Sequence, residues 1–164
     1  MTTPFTFKLA RVFDAPLDQV WEAWTDAEKL AQWFSPKGVR TFHSRLDLRP
    51  GGFYHYGLEN PDGSRYWGRW VISEVNPRTS LVFIVSFSNE KMEITHHPMA
   101  PSWPREIFST ILFRDMGGRT EVEVNWTAHN ATGEETQVFA AGAESMGAGW
   151  GGTFEQLAEY LRRV

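Results

Sequence analysis

With 164 residues, 20 acidic against 16 basic side chains, a net charge of -4 and a pI near 5.7, the chain has the length of one domain and no basic field for a nucleic-acid backbone. The absence of cysteine excludes disulfides, thiolate metal ligands and a cysteine nucleophile. Neither a bilayer-spanning apolar run nor a signal core in MTTPFTFKLARVF is present, so a single domain over 1–164 in the cytoplasm, away from membranes, is expected.

Residues 5–13 alternate Phe5, Phe7 and Leu9 with Thr6 and Lys8, the period of a half-buried strand. Leu17, Val20, Trp21 and Trp24 then recur at helical spacing behind Pro16, which suits a first turn. Thr25 and Glu28 read as a capping box that opens a second short helix carrying Leu30, Trp33 and Phe34, and Pro36 stops it.

From residue 38 the chain reads as strands parted by turn signals at Pro50-Gly51, Asp62-Gly63, 76–79 and Gly117-Gly118. These are hairpins, so the sheet is antiparallel. If the paired-residue turns are two-residue loops, Leu46, Leu48, Phe53, His55, Trp70 and Ile72 share one face with Phe83, Val85 and Phe87. Ile107, Ser109, Ile111 and Phe113 join Val122, Val124, Trp126 and Ala128 on that inner face. Asp47, Arg69, Ser73, Glu121 and Glu123 fall outside, together with an apolar cluster of Leu58, Trp67, Val71, Val82 and Ile84 that suggests a homodimer or partner surface.

Thr132 and Glu135 form another capping box, and Phe139, Ala143, Met146, Trp150, Phe154, Leu157 and Leu161 make one stripe of a long helix over about 133–162. Inside it GAGWGG, residues 147–152, has the form G-x-G-x-x-G. A dinucleotide site needs a strand before that motif and a second strand after the helix. Here helix precedes it and a dozen residues follow, so the nucleotide reading fails. Each helical glycine costs about 1 kcal/mol relative to Ala. Two compatible reasons remain: close approach of helix to sheet, or a helix thinned so that volume stays unfilled beneath it.

Strand, two short helices, six antiparallel strands and a long helix make an α+β order that resembles the helix-grip fold of the START-like, or SRPBCC, superfamily. AWTDAEKLAQWFSP at 23–36, DLRPGGFY at 47–54, PDGSRYWGRWVISEVNPRTSLVF at 61–83 and GWGGTFEQLAEYL at 149–161 are similar to the family of the activator of the heat-shock protein 90 ATPase. The resemblance implies a sheet of about seven strands wrapped around the C-terminal helix, a hydrophobic cavity beneath that helix, and many members without an established reaction. The stretch 89–104, NEKMEITHHPMAPSWP, is long for the strand connection at that place. Its Pro98, Pro101 and Pro104 around Trp103 suit a stiffened lid, an insertion or a docking element.

Aromatic residues make up 15% of the chain, with eight Trp and twelve Phe, so some rings are free to line a cavity rather than fill a core. The expected wall for a small hydrophobic or aromatic ligand is Trp33, Phe53, His55, Trp70, Phe83, Trp126, Met146 and Trp150; the alternative is that these rings pack solidly together. No cofactor is expected. The five histidines lack metal-ligand spacing: His43 falls outside, His55 inside, His129 at a strand end and His96-His97 in the long loop. His55 is either a satisfied core histidine, a polar handle for a ligand, or a general base of a cyclase- or hydrolase-type enzyme. Ser44 and Ser109 share its expected face, yet no acid or oxyanion hole completes a dyad, and no paired carboxylates face inward. Three functions follow: ligand binding, co-chaperone-like stimulation of a heat-shock protein 90 ATPase, or catalysis through His55.

Overall fold

The computed structural model describes residues 5–164. Strand β1 (Thr6–Phe13) leads into helices α1 (Leu17–Trp24) and α2 (Ala27–Trp33), then β2 (Arg40–Asp47), β3 (Phe53–Glu59), β4 (Arg65–Asn76), β5 (Ser80–Ser88), β6 (Glu106–Asp115) and β7 (Thr120–His129). Helices α3 (Gly133–Ala141) and α4 (Ala143–Arg163) complete the chain. The strands form one antiparallel sheet in the order β1-β7-β6-β5-β4-β3-β2, so α1 and α2 carry the chain from one sheet edge to the other. This is the helix-grip architecture, with α4 held against the apolar inner face.

Local chemistry sets the helix ends, with two departures from expectation. Asp26, rather than Thr25, caps α2 by accepting from the Lys29 N–H at 3.0 Å, while the Thr25 hydroxyl donates back to the Trp21 carbonyl at the end of α1. The Thr132–Glu135 capping box forms in both directions, but the helix it opens ends at Ala141. Gly142, at φ -86° and ψ 8°, interrupts the expected continuous helix. A Cβ on Gly142 would stand 2.9 Å from the Trp103 ring, so the glycine leaves room for a loop tryptophan seated at the break.

The helical glycines are not there for contact with the sheet. A Cβ at Gly149, Gly151 or Gly152 would meet nothing within 4 Å, and at Gly147 only Phe7 at 3.9 Å. Close packing is thereby removed as their explanation, and of the four only Gly149 borders the space beneath the helix. Gly151→Ala and Gly152→Ala should each stabilise the protein by about 0.5–1 kcal/mol, read as a raised urea midpoint. A loss of stability in both would show that α4 needs backbone freedom there.

The sheet register departs from expectation around β3 and at the β4–β5 turn, where Asn76 pairs with Ser80 and a bulge between Ile72 and Glu74 restores the expected Ile72–Phe83 pairing. Asp47 pairs with Phe53 and Glu59 with Arg65, each one residue away from a two-residue-loop register. A five-residue connection spans 48–52, and Asn60 bonds to Ser64 around the three-residue loop Pro61-Asp62-Gly63, with Gly63 at φ 87°. The slips flank β3 and cancel across it, so Leu46 and Trp70 keep their face and β3 alone is inverted. Tyr54, Tyr56 and Leu58 therefore face inward, and Phe53 and His55 outward. The apolar outer cluster is corrected accordingly: Leu58 leaves it for the interior. A cross-strand row of Phe53, Val71, Ile84 and Phe108 lies on the outer face instead, with Val71 and Phe108 exposed.

Glycines in β3 and β4 accept rings across the strands. The Tyr56 ring lies over Gly68 on the inner face and the Phe42 ring over Gly57 on the outer, each so close that a Cβ there would overlap it. At the centre of the core Trp24, fully buried, meets Trp33, Phe34, Trp70, Phe113 and Trp150 with ring centroids 4.8–6.5 Å away.

A candidate ligand cavity under the C-terminal helix

Between the sheet and α4 lies a cavity of about 250 Å³. The alternation of β3 to β7 turns Tyr56, Leu58, Tyr66, Trp70, Phe83, Val85, Phe87, Ile107 and Trp126 toward it. Helix α4 covers it with Met146, Gly149, Trp150 and Thr153, spaced so that one face of the helix contributes all four. The chain after α2 supplies Phe34 to Pro36 on one side, and the end of the long loop supplies Trp103 to Arg105 on the other. Exposed Gly149 and half-buried Trp103 stand at its mouth.

The walls are fixed by ring contacts. Trp70 stacks on Phe83 at 4.0 Å and 13°, Trp126 meets Trp150 edge to face at 5.5 Å, and Phe34 packs on Trp70 at 5.2 Å and Trp150 at 6.0 Å. Trp24 stands behind Trp70 and Trp150, so these rings are backed by core and held in place without a ligand. Burial drives the Tyr56 hydroxyl far above its ordinary pKa, with the Tyr54 and Tyr66 charges adding to the rise and the Trp70 indole opposing it. It is a neutral phenol throughout the physiological range.

Of the eight residues expected to form the wall, Trp70, Phe83, Trp126, Met146 and Trp150 line the cavity. Trp33 does not: it is fully buried at the end of α2 and its indole N–H donates to the Ala23 carbonyl at 2.9 Å. Phe53 and His55 are on the far face of the sheet through the β3 inversion. His55 stacks on Trp67 at 4.9 Å and lies against His43 at 5.1 Å, and its Nε2 is 3.0 Å from the Asn89 carbonyl. Burial lowers its pKa, the Asn89 bond opposes that, and the positive charges of His43 and Arg45 reinforce it. Ser44 bonds to the Ala27 carbonyl and Tyr54, and Ser109 is fully buried on the inner face, so neither meets His55.

Phe34, Tyr56, Leu58, Tyr66, Trp103 and Arg105 complete the cavity although nothing singled them out as wall residues beforehand. A correct β3 register would have found Tyr56 and Leu58. The loop residues needed the loop's path, which is set by a turn wound on Asn89. Its side-chain oxygen accepts from the Lys91 and Glu93 amides at 2.9 and 3.0 Å, and the Arg69 guanidinium holds the Met92 carbonyl at 2.6 Å. Beyond that turn Trp103 packs on Phe139 at 5.4 Å, bringing Pro104 and Arg105 to the cavity rim.

A seven-stranded antiparallel sheet closed over a cavity by a long C-terminal helix defines the START-like class of helix-grip proteins. Residues 14–162 match the family described as "Activator of Hsp90 ATPase homolog 1-like protein", and the chain belongs to it. A Nitrosomonas europaea protein of known crystal structure is 24% identical, with a TM-score of 0.75 over 99% of this chain and 97% of its own. A Mycobacterium smegmatis protein is 25% identical, with a TM-score of 0.74 over 94% and 88%. The AHSA1-like protein from Aeromonas hydrophila shares the fold at 19% identity and a TM-score of 0.67, over 95% and 92%. Among curated proteins, none matches the chain.

Proposed function

We propose that the protein binds a small hydrophobic, ring-bearing molecule in the cavity beneath α4. The observation that supports this most is the unfilled space of about 250 Å³ inside a ring-lined wall, close to the lower end of the roughly 300–1,000 Å³ typical of ligand sites. Since Trp70, Trp126 and Trp150 all belong to the wall, tryptophan fluorescence titrated with flat apolar compounds should show saturable quenching. Val85→Phe puts a ring into the space without truncating the core, and should abolish the quenching while the protein remains folded by circular dichroism. Unchanged quenching in that variant would place the compound elsewhere.

Catalysis through His55 is not part of this reading. The imidazole is separated from the cavity by the sheet, and no lining residue is His, Asp or Glu.

Family membership supports a second reading, a co-chaperone-like partner of a heat-shock protein 90 ATPase. The surface suited to it is the outer row of Phe53, Val71, Ile84 and Phe108. Addition of the protein should then raise chaperone ATP turnover, and Val71→Lys should reduce the effect; an unaltered turnover removes the reading. Sedimentation of the same variant tells whether the row serves instead as the contact between two copies of this chain.

A further inference from the structure

The nitrogen-bearing side chains of the cavity are all donors. Every side-chain nitrogen in the lining belongs to Trp or Arg, which donate hydrogen bonds and never accept them. The lining has no carboxylate, amide or imidazole to answer them. The hydroxyls of Ser35 and Thr153 donate to the carbonyls of Val39 and Gly149, at 3.0 and 3.1 Å, and the hydroxyls of Tyr56, Tyr66 and Ser86 also line the space, that of Ser86 buried without a partner. Within the wall the indole N–H of Trp126 is buried with no acceptor in the protein, while that of Trp70 faces the Tyr56 hydroxyl. An unpaired buried donor costs free energy that a ligand acceptor recovers.

The rim has a matching charge. Arg105 precedes β6 by one residue and shares the cavity-facing phase with Ile107. Among the described residues it forms no ion pair with any carboxylate, although Arg11, Arg40, Arg65, Arg78 and Arg114 all do. Its Nη2 lies 2.6 Å from the ring nitrogen Nε2 of His96. A planar guanidinium at the edge of an apolar cavity presents two parallel donors to a carboxylate, while the rings accept the rest of the molecule.

We infer that the cavity takes a lipophilic anion, an aromatic carboxylate of one or two rings, with its ring system among Trp70, Trp126 and Trp150 and its carboxylate at Arg105. The inference rests on the binding reading above and adds the charge and class of the ligand. Neutral ring compounds enter the same space but leave Arg105 without a carboxylate partner, and ring-bearing amines meet a like charge at the rim.

Calorimetric titration with 2-naphthoate and its neutral counterpart 2-naphthamide tests this directly. The acid should bind about tenfold more tightly than the amide, because only it meets the guanidinium with an opposite charge and two equivalent oxygens. In Arg105→Gln, whose site is exposed and whose folding is checked by thermal unfolding, that preference should vanish. Equal affinity for the two compounds, or a preference that survives in Arg105→Gln, overturns the anion inference and leaves the binding reading standing. No heat from either compound with folded protein overturns both.

Discussion

Trp24→Ala should lower folding stability by about 3–5 kcal/mol, the range for removing a fully buried large ring. Against a total of about 5–15 kcal/mol for a domain, that leaves a protein largely unfolded in mild urea. The size of the effect follows from position: the ring is completely enclosed and touches α2 through Trp33, the sheet through Trp70 and Phe113, and α4 through Trp150. Neighbours belonging to three different elements cannot all collapse into the hole. Trp24→Phe is the control, since it keeps most of the ring contact and removes an indole N–H that has no partner. It should cost less than about 1.5 kcal/mol. A cost for Trp24→Ala no greater than that of the Phe variant, in urea unfolding, would mean that the rings around it repack freely.

The second large effect is a coupling. Gly68→Ala should destabilise the protein by about 1–3 kcal/mol, although it adds a single methyl group. That methyl would overlap the Tyr56 ring, which cannot swing aside because Tyr54 and Phe34 lie 5.0 and 5.5 Å from it. In a Tyr56→Ala background the same substitution should be nearly free, giving an interaction energy within the roughly 0.5–3 kcal/mol measured for touching residues. A double-mutant cycle decides it, and strictly additive costs would show that the ring does not rest on Gly68. Because Tyr56 also walls the cavity, Gly68→Ala alone should weaken the quenching titration as well.

Turn chemistry explains which parts of this fold were legible in the sequence. Gly117 and Gly118 both adopt positive φ, 77° and 89°, as a two-residue hairpin of mirror type requires, and the β6–β7 register read from them is correct. Asp62-Gly63 looks alike, yet only Gly63 is left-handed and the loop is one residue longer. Nothing in the two letters distinguishes the cases, and one residue suffices to exchange the faces of β3. The alternation of β4 to β7 puts Trp70, Phe83 and Trp126 on the inner face, where the structure has them. Met146 and Trp150 were legible from the helical stripe alone. Trp33 and Phe34 follow the same helical pattern near a chain turn, and that pattern does not separate them. The fine rotation that buries one and shows the other to the cavity depends on α2 ending at Trp33, with Phe34 already outside helical geometry at ψ 82°. The rim contributed by Trp103 and Arg105 depends on a long connection folding back on the sheet, which no periodicity encodes.

The seat of Trp103 at Gly142 ties two distant stretches of chain into one unit of inheritance. A methyl at 142 would press on the indole from 2.9 Å, and the indole is itself part of the cavity's border. Drift at 142 toward any larger residue is therefore tolerated only where 103 has already become smaller, and such a paired change widens the entrance. Lineages descended from this chain should show the two positions co-varying, and with them the size of molecule admitted.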